Sequence, residues 1–243
     1  MLRVISGGSG DPCLLLLHGL GATADVWEAW RPGLARRWPG RWLAPDLPGH
    51  GGSQPLPTYS LRALAGPVAG LVEAGTDTVV IGHSLGGAVG LALAAMAPVR
   101  AVIGLGVKVE WTADELARAA AVAERPVAWF ATRDEAASRY LRVSGLAGLL
   151  PADDSAVDAG LFEVDGRWRL AMDPRAFAVG APEMADLLAQ ARVPVLLARG
   201  ENDTMNTDDQ LARLGVSTLT LAGLGHNAHV ENPDQALSLL DNL

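Results

Sequence analysis

The segment Gly82-His83-Ser84-Leu85-Gly86 follows Thr78-Val79-Val80-Ile81 and precedes a run of small helix formers from Ala88 to Ala95. β-Branched apolar residues suit a strand and alanine-rich stretches suit a helix, so the chain has to turn sharply within the five residues between them. Glycines on either side of Ser84 let it turn tightly enough to hold a strained residue at the apex, with the hydroxyl projecting from the end of a sheet. The backbone N–H of Leu85, at the helix start, then points at the same place. Alone, residues this common also fit an ordinary strand-to-helix turn. The rest of the chain decides between the two.

Four further segments supply that context. Cys13 to Leu17 reads as a buried strand running into His18-Gly19-Leu20-Gly21-Ala22-Thr23, and Trp42-Leu43-Ala44-Pro45 leads to Asp46-Leu47-Pro48-Gly49-His50-Gly51-Gly52-Ser53. Val193 to Arg199 is another buried strand, ahead of Gly200-Glu201-Asn202-Asp203. Ser217 to Leu221 precedes Gly225-His226-Asn227-Ala228-His229. With these motifs in this order, the chain resembles the α/β-hydrolase family over nearly everything outside residues 108 to 182. The resemblance implies an α/β fold: a doubly wound, mostly parallel sheet with a mainly helical cap inserted after the sixth strand of the family pattern. Residues 1–107 and 183–243 would form the core and 108–182 the cap. The family pattern opens with a two-strand hairpin, but the residues before Cys13 accommodate one strand, Leu2 to Ile5, and a glycine turn. The first edge strand is therefore expected to be missing.

The resemblance also assigns roles. Ser84 is the nucleophile; because serine is weakly nucleophilic at its own pKa it needs a base, His226, with Asp203 setting the imidazole tautomer and stabilising the imidazolium. The backbone N–H groups of Leu20 and Leu85 form the oxyanion hole. All five histidines lie in these segments. His229 competes with His226 as base, its other reading being a packing residue. His18 and His83 are expected to pin loops by hydrogen bonds, and His50 to belong to a scaffold turn. Among acids, Glu201 lies nearer its strand than Asp203, and Asp208 and Asp209 suit the start of a solvated helix.

The implied reaction is cleavage of a carboxylic ester of a small, largely apolar substrate through an acyl-enzyme. A serine nucleophile excludes the branches of the family that use aspartate. Lactonase, thioesterase, carbon–carbon bond hydrolase, perhydrolase and acyltransferase chemistry share the triad and stay open, as does a ligand receptor on the same fold without turnover. The single cysteine, Cys13, sits in an apolar strand, which rules out an internal disulfide and favours an inert thiol over a nucleophile. With no phosphate-binding glycine loop and no histidines at metal-ligand spacing, neither cofactor nor metal is expected. A net charge of −8 with scattered basic residues argues against nucleic acid or an anionic membrane as partner. Met1 to Ile5, cut off by Gly7-Gly8, lacks the pattern of a signal peptide, and no run approaches the ~20 apolar residues that cross a bilayer. A cytoplasmic protein acting on a small molecule is expected, its oligomeric state left open.

Residues 108 to 182 are too many for a bare loop and should carry their own elements. Thr112 with Glu115 and Thr132 with Glu135 have capping-box spacing, Asp165-Gly166 reads as a tight hairpin turn, and Asp173-Pro174 as a helix start. Three of the seven tryptophans, Trp111, Trp129 and Trp168, lie here with Phe130, Phe162 and Phe177. Some must hold the insertion together; the others would line an acyl pocket, for which Trp111, Trp129, Phe130 and Trp168 are the candidates. Lys108, the only lysine, lies just past the strand Ala101 to Leu105, where residues face the ligand crevice of an α/β sheet. It would meet an anionic substrate group, pair with Glu110, or simply be a solvated lysine at the hinge.

Overall fold

The run Cys13–Leu17 is buried at every position, and successive side chains on a strand point to opposite faces. Leu14 and Leu16 accordingly join one hydrophobic core while Leu15 and Leu17 join another. Such a strand demands a sheet covered on both sides. The computed structural model, which describes residues 1–242, has one. Its strands are β1 (Val4–Gly7), β2 (Cys13–Leu17), β3 (Arg41–Pro45), β4 (Thr78–His83), β5 (Ala101–Leu105), β6 (Leu161–Val164), β7 (Arg167–Leu170), β8 (Val195–Gly200) and β9 (Ser217–Leu221). The helices are α1 (Arg31–Arg37), α2 (Leu61–Ala69), α3 (Leu85–Ala94), α4 (Ala113–Ala123), α5 (Arg133–Val143), α6 (Ser155–Ala159), α7 (Met184–Ala191), α8 (Asp208–Ala212), α9 (Ala228–Glu231) and α10 (Pro233–Leu237).

Seven strands form the main sheet in the order β1-β3-β2-β4-β5-β8-β9. Only the edge strand β1 runs antiparallel to its neighbour. Among the described residues no strand precedes β1. It starts at Val4 rather than Leu2 because its partner β3 ends at Pro45, opposite Val4. Helix α3 is buried along most of its length and apolar all round, so it lies in the middle of its layer, packed by α2 and α7. The other face is closed by α1, α10 and a 3-10 helix, Ala24–Trp30, whose Trp27 and Trp30 are fully buried. The Trp30 indole N–H donates to the carbonyl of His229 at 2.8 Å, so burying that large side chain leaves no orphaned donor.

Between β5 and β8 the chain makes α4 to α7, the two-stranded hairpin β6-β7 and a 3-10 helix, Pro174–Val179. Both capping boxes form, at Thr112 and Thr132. The hairpin turn places Asp165 at φ 51° and Gly166 at φ 73°, the pair of positive angles that a two-residue turn needs to match strand twist. Asp173 caps its helix by accepting from the N–H of Arg175, although that helix is 3-10 rather than α. The segment is tied to the sheet side by bonds from Gly51 N to Ala171 O at 2.6 Å and from Asp173 N to Gly49 O at 2.8 Å. Among the described residues no helix is long and apolar enough to cross a membrane.

Candidate active site

Ser84 joins β4 to α3 with φ 49° and ψ −115°, a region that costs a non-glycine residue ~1–3 kcal/mol. Its N–H donates to Leu105 O at 2.8 Å, and its carbonyl accepts from Gly87 N at 3.0 Å. The flanking glycines act differently from the sequence expectation. Neither Gly82 nor Gly86 has a positive φ. A Cβ on Gly82 would come 2.3 Å from the Gly86 carbonyl, and one on Gly86 would come 2.3 Å from Leu17 O. The strain sits on the serine itself, and the glycines let neighbouring backbones touch.

Asp203 follows the end of β8 with its side chain wholly buried, and its Oδ2 lies 3.0 Å from His226 Nδ1. Oδ1 accepts from Met205 N at 2.9 Å. An ionised carboxylate only accepts, so the imidazole proton belongs on Nδ1 and Nε2 keeps its lone pair. Gly106, at φ 66°, provides the seat: a Cβ there would come 3.2 Å from the His226 ring and 3.3 Å from Asp203 Oδ2. Ser84 is bound to the residue just before that glycine. Its hydroxyl is half-buried and makes no hydrogen bond to another described residue. The turn Gly19 to Gly21 runs alongside, since a Cβ on Gly19 would lie 3.5 Å from Ser84 Cβ. Among the described residues the N–H groups of Leu20 and Leu85 donate to no acceptor.

Below this cluster the other histidines are buried and kept neutral. Burial pushes His83 well below its usual value, His229 and His50 down to about 3, and His18 down to about 4. His18 Nε2 accepts from Leu47 N at 2.8 Å, the loop-pinning expected of it. His83 Nε2 donates to the carbonyl of His226 at 3.0 Å. The His83 ring is 4.7 Å from that of His226 and 4.2 Å from that of His229, which in turn packs against Trp27 at 4.6 Å. His229 is thus a core residue, and its Nδ1 has no partner. Sequence reasoning missed Gly106 as the seat and Asn206, whose amide joins Val107 O to Val109 N. Neither carries a local signal.

Lys108 does not pair with Glu110. Its ammonium is held by Glu115 and lies 5.0 Å above the Trp111 ring, while Glu110 bonds Gln210 and Arg213 at 2.8 Å each. The capping box fixes Glu115 beside Thr112 and so presents a carboxylate to the lysine. Two adjoining cavities open at the 108–182 segment, sharing Arg125, and the larger is bounded also by Gly49, Gly51, Ser53 and Pro55. One of about 640 Å³ is lined by Trp129, Phe162 and Arg169, and one of about 390 Å³ by Phe130 and Phe177. Trp111, Trp168 and Lys108 line neither, and Ser84, Asp203 and His226 line neither. Trp168 instead forms a two-bond bridge with Phe130, at 2.8 and 2.9 Å. Among the described residues no group of His, Cys, Asp and Glu is arranged to hold a metal ion.

Comparison with known proteins gives a consistent picture. The family described as alpha/beta hydrolase matches residues 14–238. A magnesium-chelatase 30 kDa subunit from Rhodobacter capsulatus is 43% identical over 107 residues, 42% of this chain and 37% of its own. A pimeloyl-[acyl-carrier protein] methyl ester esterase from Klebsiella pneumoniae subsp. pneumoniae is 42% identical over 93 residues, 38% of this chain and 35% of its own. These matches span little more than a third of the relatives' length. The crystal structure of E-2-(acetamidomethylene)succinate hydrolase superposes with a TM-score of 0.82 at 25% identity, covering 99% of this chain and 94% of that one.

Proposed function

The chain belongs to the alpha/beta hydrolase family, and on that footing we propose that it is a serine carboxylesterase acting on small, largely apolar esters. The observation that carries this reading is the convergence at one end of the sheet of a serine held at φ 49° and an Asp203–His226 pair at 3.0 Å. His226 Nε2 takes the Ser84 proton as the oxygen attacks the ester carbonyl. The hydroxyl swings toward Nε2 once substrate fills the site; such bonds are often long in empty enzymes and tighten in the complex. The N–H groups of Leu20 and Leu85, without acceptors of their own, receive the oxyanion. His226 then protonates the leaving alcohol, and water, deprotonated by the same nitrogen, releases the acid from Ser84. Residues 108–182 act as a cap over this site, with Trp129 and Phe130 lining the two cavities beside it.

The methyl ester esterase similarity supports an ester over the lactone, thioester and carbon–carbon alternatives. The test is a chromogenic ester mixed rapidly with enzyme: a burst of about one equivalent followed by steady turnover, lost in Ser84→Ala, is expected. Binding without turnover across a panel of acyl lengths would make the protein a receptor on a hydrolase fold.

A further inference from the structure

The smaller cavity, of about 390 Å³, lies between the C-terminal end of α4, helix α5, strand β7 and the 3-10 helix Pro174–Val179. Its lining is apolar apart from Arg125 and Arg139, and it contains no carboxylate. Neither arginine has an ion-pair partner among the described residues. Lys108, Arg133 and Arg175 of the same segment are paired with carboxylates, whereas Arg118, Arg142, Arg167 and Arg169 have no ion pair among the described residues either. What sets Arg125 and Arg139 apart from the other unpaired arginines is that the two share one apolar cleft that holds no carboxylate. In a chain of net charge −8, they mark a local reversal of sign.

The cleft also adjoins the chemistry. Val143, at the end of α5, lines it and packs on the turn that carries Leu20: a Cβ on Gly21 would come 2.7 Å from Val143 Cγ1. The Val143 side chain is thus shared by the cleft and the oxyanion turn. We propose that this cleft holds the acyl chain of an ester whose far end bears a carboxylate, with Arg125 and Arg139 receiving that anion. The inference rests on the esterase reading and names its substrate class. An aliphatic chain matches the apolar wall, and the planar guanidinium fork matches a carboxylate. Lys108, the cation the sequence offered for this task, is already occupied by Glu115.

The test compares monomethyl esters of α,ω-dicarboxylic acids with methyl esters of the matching monocarboxylic acids, over several chain lengths. Wild type is expected to favour the half-acids in kcat/KM at low salt by about tenfold, as two solvent-reachable pairs allow. The preference should shrink at 0.5 M salt. In Arg125→Met/Arg139→Met it should disappear. A second readout does not depend on turnover: calorimetric binding of a dicarboxylic acid monomethylamide to Ser84→Ala, expected to weaken about tenfold when both arginines are replaced. Equal kcat/KM for both ester types in wild type, or a preference that survives the double replacement, overturns the anion site and leaves the esterase reading standing. Arginine-dependent binding of the amide without hydrolysis of any ester sustains the anion site and overturns the esterase reading.

Discussion

His83 and His226 are joined through the main chain. The His83 Nε2–H donates to the His226 carbonyl at 3.0 Å, and the two rings lie 4.7 Å apart. The residue before the serine thus holds the backbone of the residue that would activate it.

Loss of that tie should misplace the base without removing it. His83→Ala is expected to lower kcat by ~10- to 100-fold with KM little changed, since displacements of about 1 Å at a reacting group cost that much. His83→Gln, whose amide can reach the same carbonyl, should recover most of the activity. Steady-state kinetics on one ester decide it: equal losses in the two variants would mean that the hydrogen bond is not what matters.

On the proposed triad, Ser84→Ala and His226→Ala should each lower kcat by ~10⁴ to 10⁶, and Asp203→Asn by ~10⁴, as for residues that act as a unit. A fluorophosphonate should form its adduct on Ser84, seen by mass spectrometry of the digested protein. His226→Gln should prevent labelling, whereas His229→Gln should not, as His229 is buried among Trp27 and His83. An adduct on any other residue rejects the assignment.

The strained backbone of Ser84 should be visible in stability. Glycine tolerates φ 49° while alanine keeps the strain, so Ser84→Gly should be more stable than Ser84→Ala by ~1 kcal/mol. The extra flexibility of glycine in the unfolded chain subtracts from that gain. Urea unfolding of the two inactive variants provides the measurement, and an Ala variant as stable as the Gly variant would show the turn to be relaxed.

Acid should destabilise the fold through its buried histidines. Each is neutral when folded, with pKa values of about 3 to 4 for His18, His50 and His229 against an ordinary 6.5. The unfolded chain therefore takes up protons that the folded chain refuses. Stability is full above pH 6.5 and falls as pH drops toward 4, at up to about 1.4 kcal/mol per pH unit for each ring. Urea midpoints at pH 7.5 and 5.5 should differ strongly in wild type, and His229→Gln should reduce that pH dependence by about one proton. An unchanged slope would show that His229 is not among the titrating groups.

Much of this was written locally. Strand β2, the serine turn, both capping boxes and the Asp165-Gly166 hairpin are each specified by neighbours in sequence: side-chain shape, alternation or a reach of three residues. The order of the serine, acid and histidine segments was equally plain, since each ends a strand that its own composition announces.

Partner choice was not. Whether Lys108 meets Glu110 or Glu115 turns on α8 coming close enough to offer Gln210 and Arg213 to Glu110, about a hundred residues along the chain. Gly106 looks like any loop glycine until the Asp203–His226 pair is laid against it, and Arg125 and Arg139, both exposed, look unrelated until α4, α5 and β7 bring them to one cleft. The sequence by itself determined the elements, their order and the residues at the strand ends, because propensity, periodicity and turn chemistry act over a few residues. Only the tertiary structure decided which polar groups would satisfy one another and which would be left without a partner. That depends on surfaces brought together from distant parts of the chain, where a shift of one side chain changes who is within hydrogen-bonding reach.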